Sequence, residues 1–259
     1  PRASKLPQDI SVEYLNLGTV PAERLTAPGG RDDAAFLYIH GRGFVAGPPL
    51  THPPLTRRLA QDLGLPVYAI DYRLAPEHCF PAGLDDCVTA YKALLDKGIP
   101  AKSILVGGDS AGGNLTLALT LRLKAEGLPL PAALICLSPA TDMTGGGESH
   151  RANAESDAMF VPEMVGSLMP VYCPGVDERD PFVSPLFGDV TGFPPTLFQA
   201  GEGEMLRDDS VRMADALKAA GVETSIEVWP KVWHVWQLNA DMLPEARGGD
   251  HAIRASRTL

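Results

Sequence analysis

Short β-rich runs recur along the chain at 35–39, 67–70, 103–106, 132–137, 196–199 and 224–228, most of them apolar and most bounded by glycine, proline or a charged residue. Runs this short and this apolar read as strands buried on both faces of a parallel sheet. Between most of them apolar residues return at helical spacing. Leu84, Val88, Tyr91 and Leu95 form one such stripe, and Val211, Ala214 and Leu217 form another, so amphipathic helices are predicted there. Strand and helix in alternation predict an α/β fold, with a mostly parallel central sheet flanked by helices. No repeat and no linker divides the chain, and residues 1–259 are expected to form a single domain.

The alternation stops between 138 and 195. That segment holds Gly145-Gly146-Gly147, several prolines, and the apolar residues Met159, Phe160, Leu168, Met169 and Tyr172, but no clear strand. A stretch of this length between two strands of one sheet reads as an inserted subdomain rather than a plain loop. Residues 140–190 are expected to form a partial lid.

Composition narrows the function classes. The formal charge is −10 and no long Lys/Arg run is present, which argues against a nucleic-acid partner. The longest uncharged stretches are too short, and one too rich in proline, for a membrane span. Cys79, Cys87, Cys136 and Cys173 are scattered with no Cys-x-x-Cys spacing. Neither a zinc site nor a disulfide framework is predicted, and reduced thiols in a cytoplasmic setting are expected.

The sharpest chemical signal is Gly108-Asp109-Ser110-Ala111-Gly112. It follows the run at 103–106 and opens a helical stripe of Leu115, Leu119 and Leu123, read as amphipathic. Small residues on both sides of a serine permit the strained strand-to-helix turn that raises a nucleophilic Oγ above a sheet edge. A serine hydroxyl needs a base, and the base needs an orienting carboxylate. On this fold both follow the serine in the chain. Of the six histidines, His40, His52 and His78 precede Ser110; His150 lies in the insertion and His251 in the apparent C-terminal helix. His234 alone stands just beyond a late strand, between Trp233 and Trp236, and is the best base. The acid is expected after the run at 196–199. Asp208 and Asp209 open a helix there, where carboxylates are favoured by capping and the backbone dipole alone. Glu202 and Glu204 are nearer the strand end, and spacing does not choose between them.

Stabilising a tetrahedral intermediate also needs amide donors. Ala111, directly after the nucleophile, supplies one. His40-Gly41-Arg42-Gly43 follows the early run at 35–39, where lipases and esterases place a glycine-rich donor loop.

Taken together, His40-Gly41-Arg42-Gly43-Phe44, Asp71-Tyr72-Arg73-Leu74-Ala75-Pro76-Glu77-His78, Gly108-Asp109-Ser110-Ala111-Gly112-Gly113-Asn114 and the His234 segment resemble the hormone-sensitive-lipase family of α/β-hydrolases, particularly its bacterial carboxylesterases. Ser138-Pro139-Ala140-Thr141-Asp142 and Val183-Ser184-Pro185-Leu186 also resemble family segments, so the likeness covers nearly the whole chain. It implies an α/β-hydrolase fold and a serine carboxylesterase acting on small neutral esters of short to medium acyl chain. Ser110 is the implied nucleophile and His234 the base. The acid falls on Glu204, just ahead of a family Leu-x-Asp-Asp helix start at Leu206. Gly41, Arg42, Gly43 and Ala111 are the implied oxyanion donors. Phe44, Met159, Phe160 and Trp233 are expected to line the substrate pocket. No metal and no cofactor is called for, and family members often form homodimers. Asp71, Tyr72, Arg73, Glu77 and Asp109 are read as structural.

Two departures stand out. Arg42 occupies the middle of a loop that usually carries three glycines, which keeps the amide but adds a Cβ and a charge. Only 39 residues precede His40 where the family usually carries several dozen more, so an N-terminal lid segment is expected to be absent or truncated. An amidase or deacetylase using the same triad is the nearest alternative. A non-catalytic receptor resembling the plant gibberellin receptors is another, though those lack the catalytic histidine.

Overall fold

In the computed structural model, which describes residues 9–47 and 52–239, eight strands form one sheet. They are β1 (Ser11–Leu17), β2 (Val20–Thr26), β3 (Ala35–Ile39), β4 (Val67–Ile70), β5 (Ile104–Asp109), β6 (Ala133–Leu137), β7 (Thr196–Gly201) and β8 (Thr224–Trp229). Their order is β1-β2-β4-β3-β5-β6-β7-β8, antiparallel for β1 with β2 and β2 with β4, and parallel from there on.

Every residue of β3, β4, β5, β6 and β7 is buried. Successive side chains take opposite faces of a strand, and the apolar residues divide accordingly. Ala35, Leu37, Ile39, Val106, Leu134 and Cys136 join one core cluster; Phe36, Tyr38, Leu105, Ile135 and Leu137 join the other. The helices α2 (Ala82–Asp96), α3 (Ala111–Ala125) and α6 (Arg207–Ala219) contribute to the first cluster, as do Met169 and Tyr172. The helix α1 (Pro53–Leu63) covers the second.

The stripe at Leu115, Leu119 and Leu123 turns out to belong to a helix buried nearly all round rather than to an amphipathic one. Twelve residues of α3 are buried, and Thr116 and Thr120 satisfy their hydroxyls on the carbonyls of Gly112 and Thr116, both at 2.9 Å. Such back-bonding lets small polar residues sit inside a helix without an orphaned hydroxyl.

Between β6 and β7 the chain forms α4 (Ser149–Ala152) and α5 (Pro162–Tyr172), then a short 3₁₀ turn at Pro185–Phe187, and no strand. α5 returns to the sheet's C-terminal edge, where Tyr172 stacks on Phe44 with ring centroids 3.8 Å apart. His251 lies outside the described residues. Among the described residues no helix is long and apolar enough to cross a membrane.

Candidate active site

Ser110 sits between β5 and α3 at φ 53° and ψ −118°. A left-handed φ in a non-glycine residue is strained, and such outliers concentrate at functional sites. Its neighbours explain how the turn closes. A Cβ on Gly108 or on Gly112 would collide with the carbonyl oxygen of Ile39 in β3. Only glycine lets α3 start this close to the sheet.

Glu204 follows β7 after a tight turn and is fully buried. Its Oε1 accepts hydrogen bonds from the Gly201 amide at 2.6 Å and from Ser138 Oγ at 3.0 Å, and its Oε2 lies 2.7 Å from His234 Nδ1. A carboxylate fixed this way keeps the proton on Nδ1 and leaves Nε2 as the nitrogen that can exchange one. Ser138 Oγ also accepts from the Val235 amide at 3.3 Å, tying the loops of Glu204 and His234 together. Glu202, two residues earlier, exposes its side chain.

The other carboxylates and histidines of the region are engaged elsewhere. Asp209 accepts the Thr141 and Asp142 amides at 2.7 and 2.9 Å and pairs with His150 Nε2 at 2.9 Å. That hydrogen bond raises the His150 pKa against the opposing effect of burial. Asp208 accepts the Ser149 amide at 2.9 Å. His40 stacks on Tyr72 with centroids 4.4 Å apart, and burial lowers its pKa to about 4, so it is neutral near pH 7. Asp109, also buried, accepts from Tyr38 Oη at 2.5 Å and lies 3.5 Å from His52 Nε2. Burial opposes its ionisation, yet His52, Tyr38 and His40 together hold its pKa below the ordinary carboxylate value. Among the described residues no cluster of three or more His, Cys, Asp or Glu is arranged to hold a metal.

A family model for the alpha/beta hydrolase fold matches residues 36–238. An esterase of Acinetobacter venetianus is 38% identical over 239 residues, which cover 92% of this chain and 78% of that protein. An acetyl-hydrolase of Streptomyces hygroscopicus is 36% identical over 243 residues, covering 90% and 81% respectively. The crystal structure of an esterase from the bacterial hormone-sensitive lipase family superposes with a TM-score of 0.96 at 44% identity, over 99% of this chain and 86% of that one. The chain belongs to the hormone-sensitive-lipase family of α/β hydrolases.

The donor loop of this hormone-sensitive-lipase relative differs from expectation at one amide. Gly41 N–H points to Asp109 Oδ1 at 3.1 Å, and a Cβ at Gly41 would run into the same carboxylate. Its amide is therefore spent on holding the loop and is corrected from donor to anchor. Arg42 and Gly43 follow at φ 72° and 66°, with Arg42 exposed. Leu168 of α5 packs where a Cβ on Gly43 would lie, 3.1 Å from its Cδ2.

The four residues expected to line the pocket separate. Phe160 meets the His234 ring edge-on, with centroids 4.6 Å apart. Phe44 is only 2% exposed and its ring surface is covered by Tyr172, so it packs the core. Met159 is 52% exposed. Trp233 is half-buried against Val232 and Trp236 and borders a polar cavity of about 600 Å³ beside Glu204. Ser138 carries no expected role in the sequence motifs above. Its place directly after β6 was the available signal, because loops at the C-terminal ends of adjacent parallel strands converge on one crevice.

Proposed function

We propose that Ser110, His234 and Glu204 act as nucleophile, base and orienting acid in a serine carboxylesterase that hydrolyses small neutral esters of short to medium acyl chain. The chain is a carboxylic ester hydrolase of the hormone-sensitive-lipase family, as its relatives at 36–44% identity are esterases and acetyl-hydrolases. The observation that carries the residue assignment is the 2.7 Å contact between Glu204 Oε2 and His234 Nδ1, made by a carboxylate whose other oxygen is doubly hydrogen-bonded.

In this reading Ser110 Oγ attacks the ester carbonyl carbon as its proton passes to His234 Nε2. The oxyanion is received by the amides of Arg42, Gly43 and Ala111; Ala111 opens α3, where helix amides have no intrahelical acceptor. Collapse of the intermediate breaks the C–O bond, and the imidazolium returns the proton to the leaving alkoxide oxygen. Water then attacks the acyl-enzyme with His234 again as base. Glu204 stays ionised throughout and stabilises the imidazolium. No redox or metal step is needed. Phe160 forms a wall beside the base, Leu168 restricts the space over the donor loop, and residues 140–190 serve as a partial cap. All four cysteines are unpaired, which supports a cytoplasmic setting.

The test is turnover of p-nitrophenyl esters of increasing chain length, alongside the matched anilides. Parent protein is expected to prefer short esters, with Ser110→Ala and Glu204→Ala losing turnover and Glu202→Ala retaining it. A Glu202→Ala variant as damaged as Glu204→Ala would overturn the acid assignment, and preferential anilide cleavage would make the enzyme an amidase.

A further inference from the structure

Four consecutive residues of the acid loop are held by one short segment of the insertion. Asn153 Nδ2 donates to the carbonyls of Glu202 and Glu204 at 3.0 and 2.9 Å, and Ser156 Oγ donates to the Gly203 carbonyl at 3.2 Å. Asp157 completes the set in a different way. Its Oδ2 accepts the Met205 amide at 2.7 Å, directly after the acid, while its Oδ1 accepts the Met159 and Phe160 amides at 2.8 and 3.0 Å. The ring of Phe160 is the one packed edge-on against His234.

We infer that Asp157 is a positioning residue for ester hydrolysis, setting the Glu204–His234 contact from the acid side through Met205 and from the base side through Phe160. The inference rests on the triad proposed above. One carboxylate bridges its own segment and that of Met205, 48 positions further along the chain, so a shift of either is passed to the other. Charge-assisted bonds to backbone amides are strong enough to do this, roughly twice a neutral pair. Water is the competitor. Asp157 borders the polar cavity beside Glu204, whose walls also include Glu202, Arg207 and Lys231. Without the carboxylate, solvent in that cavity takes over the Met205 amide and the acid loop loses its fixed register. The insertion is thereby a scaffold for the acid as well as a cover.

Asp157→Asn and Asp157→Ser test this. Both keep an oxygen that can accept the Met159 and Phe160 amides; the asparagine turns an NH₂ toward Met205 and the serine is too short to reach it. Each is expected to lower kcat about 10-fold or more, with KM changed less than about 3-fold, because small displacements of catalytic groups are costly. The acid limb of kcat/KM against pH should also move to lower pH, since a displaced Glu204 stabilises the imidazolium less. The low-field proton resonance of His234 Nδ1–H should weaken or vanish in the same variants. Glu202→Gln, which removes an exposed charge from the same cavity, sets the size of a pure charge effect on the limb. Folded variants with a lower melting temperature but parental kcat, limb and proton resonance would overturn the role of Asp157 alone. A limb shift no larger than that of Glu202→Gln, without loss of kcat, would overturn it equally. Parent protein that hydrolyses no ester would overturn the proposed function and this inference together.

Discussion

Ser138 Oγ lies 3.0 Å from Glu204 Oε1 and donates to it, while accepting the amide that follows His234 in the chain. Both ends of the arrangement are strained: Ser138 has φ 47° and Val235 has φ 50°. A buried hydroxyl holding two loops in left-handed turns is costly to remove. Ser138→Ala leaves Glu204 Oε1 with the Gly201 amide and orphans the Val235 amide. Losing a bond to a charged group costs about 1.5–3 kcal/mol, so kcat should fall by roughly 10- to 100-fold with KM little changed. Steady-state kinetics with a short p-nitrophenyl ester checks this.

Arg42 carries a side chain at φ 72° in a loop whose amides are assigned to the oxyanion. A left-handed L-residue is strained by about 1–2 kcal/mol relative to glycine. Arg42→Gly should therefore raise the melting temperature by a few degrees, whereas Arg42→Ala, which removes the charge but keeps the Cβ, should not. Both retain the amide, so kcat on a neutral ester should stay within about 3-fold of the parent. A scan of thermal unfolding with parallel rate measurements separates the backbone effect from the charge.

His150 and Asp209 form a buried pair that joins the insertion to the start of α6. The hydrogen bond to Asp209 raises the His150 pKa above its ordinary 6.5, with burial opposing. A raised histidine stabilises the fold fully below the unfolded pKa, and that contribution fades as pH rises through the folded value. His150→Gln keeps a neutral donor and loses the titration. The gap in melting temperature between parent and variant should be widest near pH 5–6 and narrow toward pH 9.

The sheet from β3 to β7 was legible because those strands are short apolar runs buried in a parallel sheet, and β8 was legible as a β-rich run although none of its residues is fully buried. β1 and β2 were not, since Ser11–Leu17 is an edge strand with a mixed burial pattern and Val20–Thr26 alternates too weakly. The serine could be found from its glycines, which the close approach to Ile39 demands. Glu204 could not be told from Glu202 by spacing. Both follow β7 on one loop, and the choice depends on Ser138 and His234, 66 and 30 positions away in the chain. The Gly41 amide escaped prediction for the same reason, because its acceptor on Asp109 belongs to another strand.

Ester hydrolysis as proposed above requires Ser110 to be an activated nucleophile. Treating folded protein with a fluorophosphonate and mapping the adduct by mass spectrometry tests it most directly. One adduct per chain on the peptide containing Ser110 is predicted, slowed sharply by His234→Ala and absent in Ser110→Ala. Folded parent protein that takes no label, or takes it at a residue other than Ser110, would contradict the account.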